Sequence, residues 1–379
     1  MEKIKKLNKI IIFAINTKDL INFRASLINN LVNKGVIVYA LAADYDEASQ
    51  AIVASLGAIP VRIAMNAYGM NPVREMINLI SVISTIKKIE ADLILCSFLK
   101  PITFGLVAAY IASIPKRIAM IEGLGYVFTD DGVRIQLKRR LLRMMVKFFF
   151  RIALNLSTKI ILLNRDDLNE LTGWGVLKEE KTILLGGIGV DLNDWIFEKP
   201  SLDPIQFIFV GRLLGQKGIV EFLNASRKIK NQHREVMFVV LGGLNDSPDC
   251  IDESLIKDWV REEVGIWPGY VDVKPWLKQS SVFVLPSYRE GVPRSTQEAM
   301  AIGRAVITAN SPGCRETVVE GINGLLVPVR DDQALAEAMM EFVEDPELID
   351  TMGRESRRLA EEKFDEKITN KRLLEIFYD

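Results

Sequence analysis

Two cations, Arg212 and Lys217, and two acids, Glu290 and Glu298, stand out in the C-terminal half of this chain. The run Phe209-Val210-Gly211-Arg212-Leu213-Leu214-Gly215-Gln216-Lys217-Gly218 reads as a strand end, a glycine-bearing loop and a helix starting near Gly218. Glycines such as Gly211 let backbone and ligand approach closely, and the free N–H groups of a helix N-terminus favour an anion. Arg212 and Lys217 could both reach a diphosphate, each charge-assisted hydrogen bond contributing roughly 1.5–3 kcal/mol. A solvated loop with surface cations would account for this stretch taken alone. In Leu285-Pro286-Ser287-Tyr288-Arg289-Glu290-Gly291-Val292-Pro293-Arg294-Ser295-Thr296-Gln297-Glu298, the first acid sits on a loop after a strand. The second sits on a helix that begins near Arg294. A carboxylate accepts hydrogen bonds from two adjacent hydroxyls, which suits a ribose or hexose diol. The amides of Arg294, Ser295 and Thr296 at that helix start suit phosphate oxygens.

Weaker signals surround this set. Trp267-Pro268-Gly269-Tyr270-Val271-Asp272 could read a base edge through Gly269 and Tyr270, with Asp272 capping the next helix; a plain turn and cap explains it equally. Pro312-Gly313-Cys314-Arg315-Glu316 and the Gly321–Val327 stretch read as scaffolding. Asp44-Tyr45-Asp46 is better explained by helix-start carboxylates than by a metal, and no metal is expected. The one histidine, His233, lies in a polar turn, so no His-based metal site can form.

These residues need a frame. Strand-like runs at Ile10–Ile15, Val36–Ala42, Pro60–Ala64, Leu93–Cys96, Arg117–Ile121, Lys159–Leu163 and Thr182–Leu185 alternate with helical stretches at Arg24–Asn33, Pro72–Ile89, Thr103–Ala112 and Arg134–Leu154. After a proline-punctuated linker, Glu198–Pro204, the alternation restarts. The fold class is therefore α/β, with two Rossmann-like, doubly wound parallel-sheet domains facing a central cleft. The expected division is 1–195, 196–364 and a terminal helix, 365–379, returning to the first domain.

At 379 residues, with 49% hydrophobic and 26% charged residues, the chain has ample core for two domains. A formal net charge of -1 argues against nucleic acid as a partner. Three scattered cysteines, Cys96, Cys250 and Cys314, give no disulfide framework and fit a cytoplasmic setting. No apolar run approaches the roughly 20 residues of a membrane span.

The order Gly-Arg-Leu…Lys-Gly, Glu-Gly-Val-Pro…Glu-Ala-Met and Gly-Cys-Arg-Glu…Gly-Ile-Asn-Gly-Leu-Leu-Val resembles glycosyltransferase family 4, retaining enzymes of the GT-B fold. The resemblance spans about the whole length and is densest from Phe209 to Pro328. It implies that Arg212 and Lys217 hold a donor diphosphate, Glu290 contacts the donor sugar and Glu298 holds the ribose hydroxyls. Glu122-Gly123-Leu124-Gly125-Tyr126-Val127-Phe128, with Asn22-Phe23-Arg24 and Leu99-Lys100-Pro101, resembles the bacterial subgroup that extends undecaprenyl-diphosphate-linked oligosaccharides. The acceptor side is thus expected at Asn16, Arg24, Lys100, Gly123, Gly125 and Tyr126. Lys100 reads equally as a structural lysine at a helix start. Gly123 and Gly125 lack the third glycine of a dinucleotide fingerprint, so no NAD is expected. Relatives in the wider family carry a histidine in the acceptor half; this chain has none there.

Arg139, Arg143, Lys147 and Arg151 recur every fourth residue beside Leu137, Leu141, Met145, Phe148, Phe149 and Ile152. A basic stripe beside an apolar face suits an interfacial helix, and Lys3, Lys5, Lys6 and Lys9 could join it on the inner face of the cell membrane. A core helix with a solvated basic edge has the same pattern. The expected reaction moves a hexose or N-acetylhexosamine, with UDP-N-acetylgalactosamine the favoured donor, onto a polyprenyl-diphosphate-linked saccharide. Two other readings stay in view: a nucleotide-sugar epimerase, which needs acid/base groups, and a two-lobed sugar-binding protein.

Overall fold

The computed structural model describes residues 7–65, 72–125, 128, 137–245, 247 and 249–379, the side chains of 72 and 137–142 excepted. Its contacts divide into two units. One takes the described residues up to 125, those of 137–185, and 369–379; the other takes Phe128 and 186–368.

The first unit runs β1 (Lys9–Phe13), α1 (Thr17–Asn33), β2 (Ile37–Ala42), α2 (Glu47–Ser55), β3 (Ile59–Arg62), α3 (Pro72–Ile89), β4 (Leu93–Ser97), α4 (Leu99–Ile111), β5 (Lys116–Ile121), α5 (Leu137–Leu156), β6 (Lys159–Leu162), α6 (Arg165–Gly173) and β7 (Thr182–Leu184). Its strands form one seven-stranded sheet, ordered β3-β2-β1-β4-β5-β6-β7. Pairing is parallel throughout, as in Ile10↔Val38 and Ile10↔Leu93. Both faces of such a sheet are covered, so its strands are continuous apolar runs rather than alternating ones. Ile10, Ile11, Ile12, Leu93, Ile94 and Leu95 are all fully buried.

Side chains outside the apolar pattern decide where several helices begin. α1 starts at Thr17, seven residues before the predicted Arg24, because Asn16 Oδ1 accepts the Asp19 N–H at 2.9 Å and caps it. α4 starts at Leu99 rather than Thr103, with Pro101 inside its first turn, where a missing N–H costs nothing. α2 and α6, which the alternation did not mark, start at caps from Asp46 and Asn164.

The second unit runs β8 (Gln206–Val210), α7 (Ile219–Lys230), β9 (Met237–Leu241), α8 (Glu253–Arg261), β10 (Ile266–Gly269), α9 (Lys274–Gln279), β11 (Val282–Leu285), α10 (Arg294–Ile302), β12 (Ala305–Ala309), β13 (Gly324–Val327), α11 (Asp332–Glu344) and α12 (Glu347–Lys363). Its six strands are ordered β10-β9-β8-β11-β12-β13. An aromatic cluster anchors it: Phe207 stacks on Phe238 at 5.7 Å, Phe222 meets Trp259 at 6.5 Å, and the Trp259 indole donates to Ser226 Oγ at 2.8 Å. Aromatic pairs of this kind add about 0.5–1.5 kcal/mol beyond their area.

The last helix, α13 (Glu366–Tyr378), changes units along its length. Glu366 N–H still donates to Val190 O at 3.0 Å. From Thr369 onward it packs with the first unit, where Asn370 donates to Ser26 Oγ, Arg372 to Leu185 O and Lys116 to Phe377 O, all at 2.8–2.9 Å. In both sheets the strand order reverses beside the first strand, β1 or β8, which is where doubly wound sheets take their ligands.

Candidate functional site

In the second unit the loops following β8, β11 and β12 interlock. Gly211 N–H donates to Leu241 O at 3.0 Å, tying the end of β8 to β9. The next turn is held from outside: Gly215 N–H donates to Asp249 O at 2.8 Å and Gln216 N–H to Asp249 Oδ2 at 3.0 Å. Gly218 then takes φ 72° and begins α7; a Cβ there would overlap Pro286 O. Only glycine allows that approach and that dihedral together. Tyr288 N–H and Ser287 Oγ both donate to Gln216 O, at 2.8 and 3.1 Å. Gly313, at φ 77°, leaves the same kind of gap for Glu290 O and Gly291 O, and Glu290 N–H donates to Pro312 O at 2.9 Å.

The interlock brings Lys217 and Glu290 into a direct ion pair, with side chains 17% and 13% exposed. α10 begins four residues beyond Glu290. Its N-cap is Pro293, which offers no side-chain acceptor, so the first amides of Arg294, Ser295 and Thr296 have no cap from that side chain. Thr296 is fully buried and its Oγ1 has no hydrogen-bond partner among the described residues. One turn on, the Glu298 carboxylate accepts from Arg294 Nε at 3.0 Å. Burial pushes the Glu298 carboxyl up, Arg294 and Lys274 oppose that, and Asp194 adds to it. Arg212 is exposed at the loop tip. Gly269, at φ 83°, ends β10 and accepts from Gly242 N–H; Tyr270 is 74% exposed. Asp272 Oδ1 accepts the Lys274 N–H at 3.2 Å, although the residue at the N-cap of α9 is Val273.

In the first unit the candidates lie on α1 and after β1, β4 and β5. Arg24 is 3% exposed; it pairs with Glu122 and donates to Ser97 Oγ at 3.1 Å. It therefore ties α1 to the ends of β4 and β5 from inside. Burial raises the Glu122 carboxyl, against the pull of Arg24. Gly123 and Gly125 follow at φ 116° and 68°, so the backbone turns where Cβ-bearing residues are disfavoured. Tyr126 lies outside the described residues. Lys100 Nζ pairs with Glu75 of α3 at 3.0 Å. Asn16 caps α1 as given above. Asp46 caps α2 with Ser49, and Asp44 Oδ1 accepts the Thr17 N–H at 2.7 Å: both carboxylates serve helix starts.

On α5, Met144, Met145, Phe148, Phe149 and Ile152 are 41–61% exposed and face outward, while Phe150, Ala153 and Leu154 are buried. Arg143 and Arg151 lie on the same helix. Lys147 instead sits over the Trp174 ring at 3.6 Å, and burial lowers its pKa. The side chain of Arg139 and all of Lys3, Lys5 and Lys6 lie outside the described residues. His233 pairs with Glu235 at 3.2 Å at the surface.

Some structural partners were missed in the sequence. Asp249 holds the β8 loop with no signal in its own neighbourhood. Gly186, Gly187 and Gly189 take φ 88°, 148° and 78°; their Gly-Gly-Ile-Gly run was a visible signal. Gly189 N–H donates to Gln297 Oε1 at 3.0 Å, and a Cβ on Gly187 would press on Phe364 at 3.1 Å. Phe98, at φ 69° between β4 and α4, is a strained position that composition does not announce.

Residues 193–359 match the glycosyl transferases group 1 family, and the chain is a glycosyltransferase with the GT-B fold. It is 26% identical over 370 residues to the N,N'-diacetylbacillosaminyl-diphospho-undecaprenol alpha-1,3-N-acetylgalactosaminyltransferase of Campylobacter jejuni, covering 94% of each chain. To the capsular polysaccharide biosynthesis glycosyltransferase CapM of Staphylococcus aureus it is 27% identical, covering 70% of each. Among solved structures, Anabaena HepE in complex with UDP superposes with TM-score 0.76 at 16% identity, over 98% of this chain and 99% of that one.

Proposed function

We propose that this chain is a family 4 retaining transferase that moves a hexose or N-acetylhexosamine, favoured donor UDP-N-acetylgalactosamine, onto a polyprenyl-diphosphate-linked saccharide in bacterial surface glycan assembly. The observation that carries it is the Lys217–Glu290 pair, held by the Gly218–Pro286 approach four residues before the α10 N-terminus. A UDP diphosphate would draw Lys217, Arg212 and the Arg294–Thr296 amides, stabilising the charge that grows on the leaving group. Release of Lys217 leaves Glu290 to accept donor-sugar hydroxyls. Glu298, pre-set by Arg294, takes the ribose diol. With retention, the acceptor hydroxyl attacks from the leaving-group side and the departing phosphate takes its proton, so no protein nucleophile is needed. The lipid-linked acceptor is supported by the likeness to the Campylobacter transferase, whose name gives such an acceptor.

We place the chain at the inner face of the membrane, with α5 lying on it through Arg143, Arg151 and its exposed apolar residues. Arg139 completes that reading. Among the described residues no helix is long and apolar enough to cross a membrane.

A thermal-shift screen of nucleotide sugars, followed by label transfer to synthetic polyprenyl-diphosphate saccharides, tests the whole. The expected result is stabilisation by one UDP-sugar and a lipid-linked product of retained configuration. Epimerised nucleotide sugar without acceptor, or no response to any nucleotide, would sink it.

A further inference from the structure

α3 has a surface that its packing does not explain. Asn78, Val82 and Ile86 turn into the protein, at 0–7% exposure. On the opposite side Val73, Met76, Ile77 and Ile80 are 71%, 59%, 62% and 61% exposed. Their i, i+3, i+4, i+7 spacing places them in one stripe along the helix, and a contiguous apolar stripe left in water marks an interaction surface. On the flank between these sides, Arg74 joins Asn78 in lining a cavity of about 530 Å³ with Arg62, Asn16 and Asp44. That cavity lies beyond the C-terminal ends of β1, β2 and β3, where a doubly wound sheet takes ligands. Among the described residues lining it, Asp44 is the one carboxylate and already accepts the Thr17 N–H, so within that lining the two guanidiniums outweigh its charge. Guanidinium groups match phosphate oxygens in bidentate geometry.

We propose that this cavity is the diphosphate subsite of a lipid-linked acceptor, with phosphates on Arg62 and Arg74 and the apolar carrier lying along Val73, Met76, Ile77 and Ile80. One helix thus offers cation and apolar track side by side, the chemistry of an anionic head on a long hydrocarbon chain. This rests on the acceptor class proposed above.

The test is equilibrium binding of two probes, inorganic pyrophosphate and farnesyl diphosphate, to the full chain saturated with UDP so that a donor diphosphate site is filled. Wild type should bind both, farnesyl diphosphate the more tightly. Arg62→Ala with Arg74→Ala should weaken both, on the order of tenfold per arginine. Ile77→Glu should weaken farnesyl diphosphate alone. An unaltered unfolding transition is the fold control, with Arg74→Gln standing in should the alanine variant fail it. Pyrophosphate affinity unchanged in the arginine variants, or no binding by wild type, overturns the subsite. Equal farnesyl diphosphate affinity in Ile77→Glu overturns the carrier track, and the stripe is then a protein-docking face. Transfer to a polyprenyl-diphosphate saccharide separates the two levels. Loss of transfer in wild type removes the acceptor reading, whereas full transfer in the double-arginine variant removes only the subsite.

Discussion

At the scale of single residues, two charged pairs hold the second unit's candidate groups in place, and each makes a different prediction. Lys217 and Glu290 neutralise each other at about one-sixth exposure, so removing one leaves the other without its charge partner. Lys217→Ala should lower turnover by roughly 10²–10³-fold in a donor-transfer assay; wild-type rates would remove the leaving-group role. Glu298 is the better probe of pH. Its folded pKa is raised by burial above the ordinary 4.5, so the folded chain holds that proton more tightly than the unfolded one. Its contribution to stability is then full below pH 4.5 and falls as pH rises through the folded value. Glu298→Gln lacks this titration, so chemical denaturation should show the variant gaining on wild type as pH climbs above the ordinary value. Parallel curves would mean the burial is without consequence. The same variant should bind UDP more weakly if the ribose assignment holds.

At the scale of elements, loops are positioned by close backbone approaches rather than by side-chain contacts alone. Gly218 is the point to test. Gly218→Ala adds a Cβ against Pro286 O at φ 72°, where the left-handed backbone by itself costs an L-residue about 1–2 kcal/mol. A lowered unfolding midpoint together with loss of nucleotide affinity is expected, because the β8 and β11 loops would part. Unchanged affinity would show that the interlock does not position the site. Buried Arg24 and Glu122 do comparable work in the first unit, joining α1 to the ends of β4 and β5. Removing one partner of such a pair usually costs about 3–5 kcal/mol. Arg24→Ala should therefore act chiefly on stability in a urea titration, with UDP affinity retained.

At the scale of the whole molecule, α13 matters most, because from Thr369 it is packed with the first unit while β8 to α12 build the second. Leu373 and Phe377 are 3% and 0% exposed, so the last residues of the chain complete a core assembled from its beginning. Phe377→Ala should cost about 3–5 kcal/mol. Calorimetry should show that loss in the first unit's transition, with nucleotide still stabilising the second; a loss spread over both would contradict this division of the core.

Much of this organisation is written in local pattern. Buried parallel strands must be continuous apolar runs, so Gln206–Val210 and Met237–Leu241 were legible to the residue. α7 and α10 were equally legible, as a helical apolar face opening at glycine or after proline. The cationic loop after β8 and the two spaced acids were visible because short motifs keep their order in the chain. What the sequence could not determine is which groups meet, because distance in space is set by sheet order and by backbone approach. Lys217 meets Glu290 across 73 residues only because Gly218 admits Pro286. Arg24 meets Glu122 across 98 residues, a pairing that the resemblance placing it on the acceptor side did not specify. Exposure, too, was undecided by periodicity. The apolar residues of α5 read equally as core, and those of α3 gave no warning; only packing, which sends one face of a helix inward, buried Phe150, Ala153, Val82 and Ile86 and left Phe148, Phe149, Met76 and Ile77 at the surface.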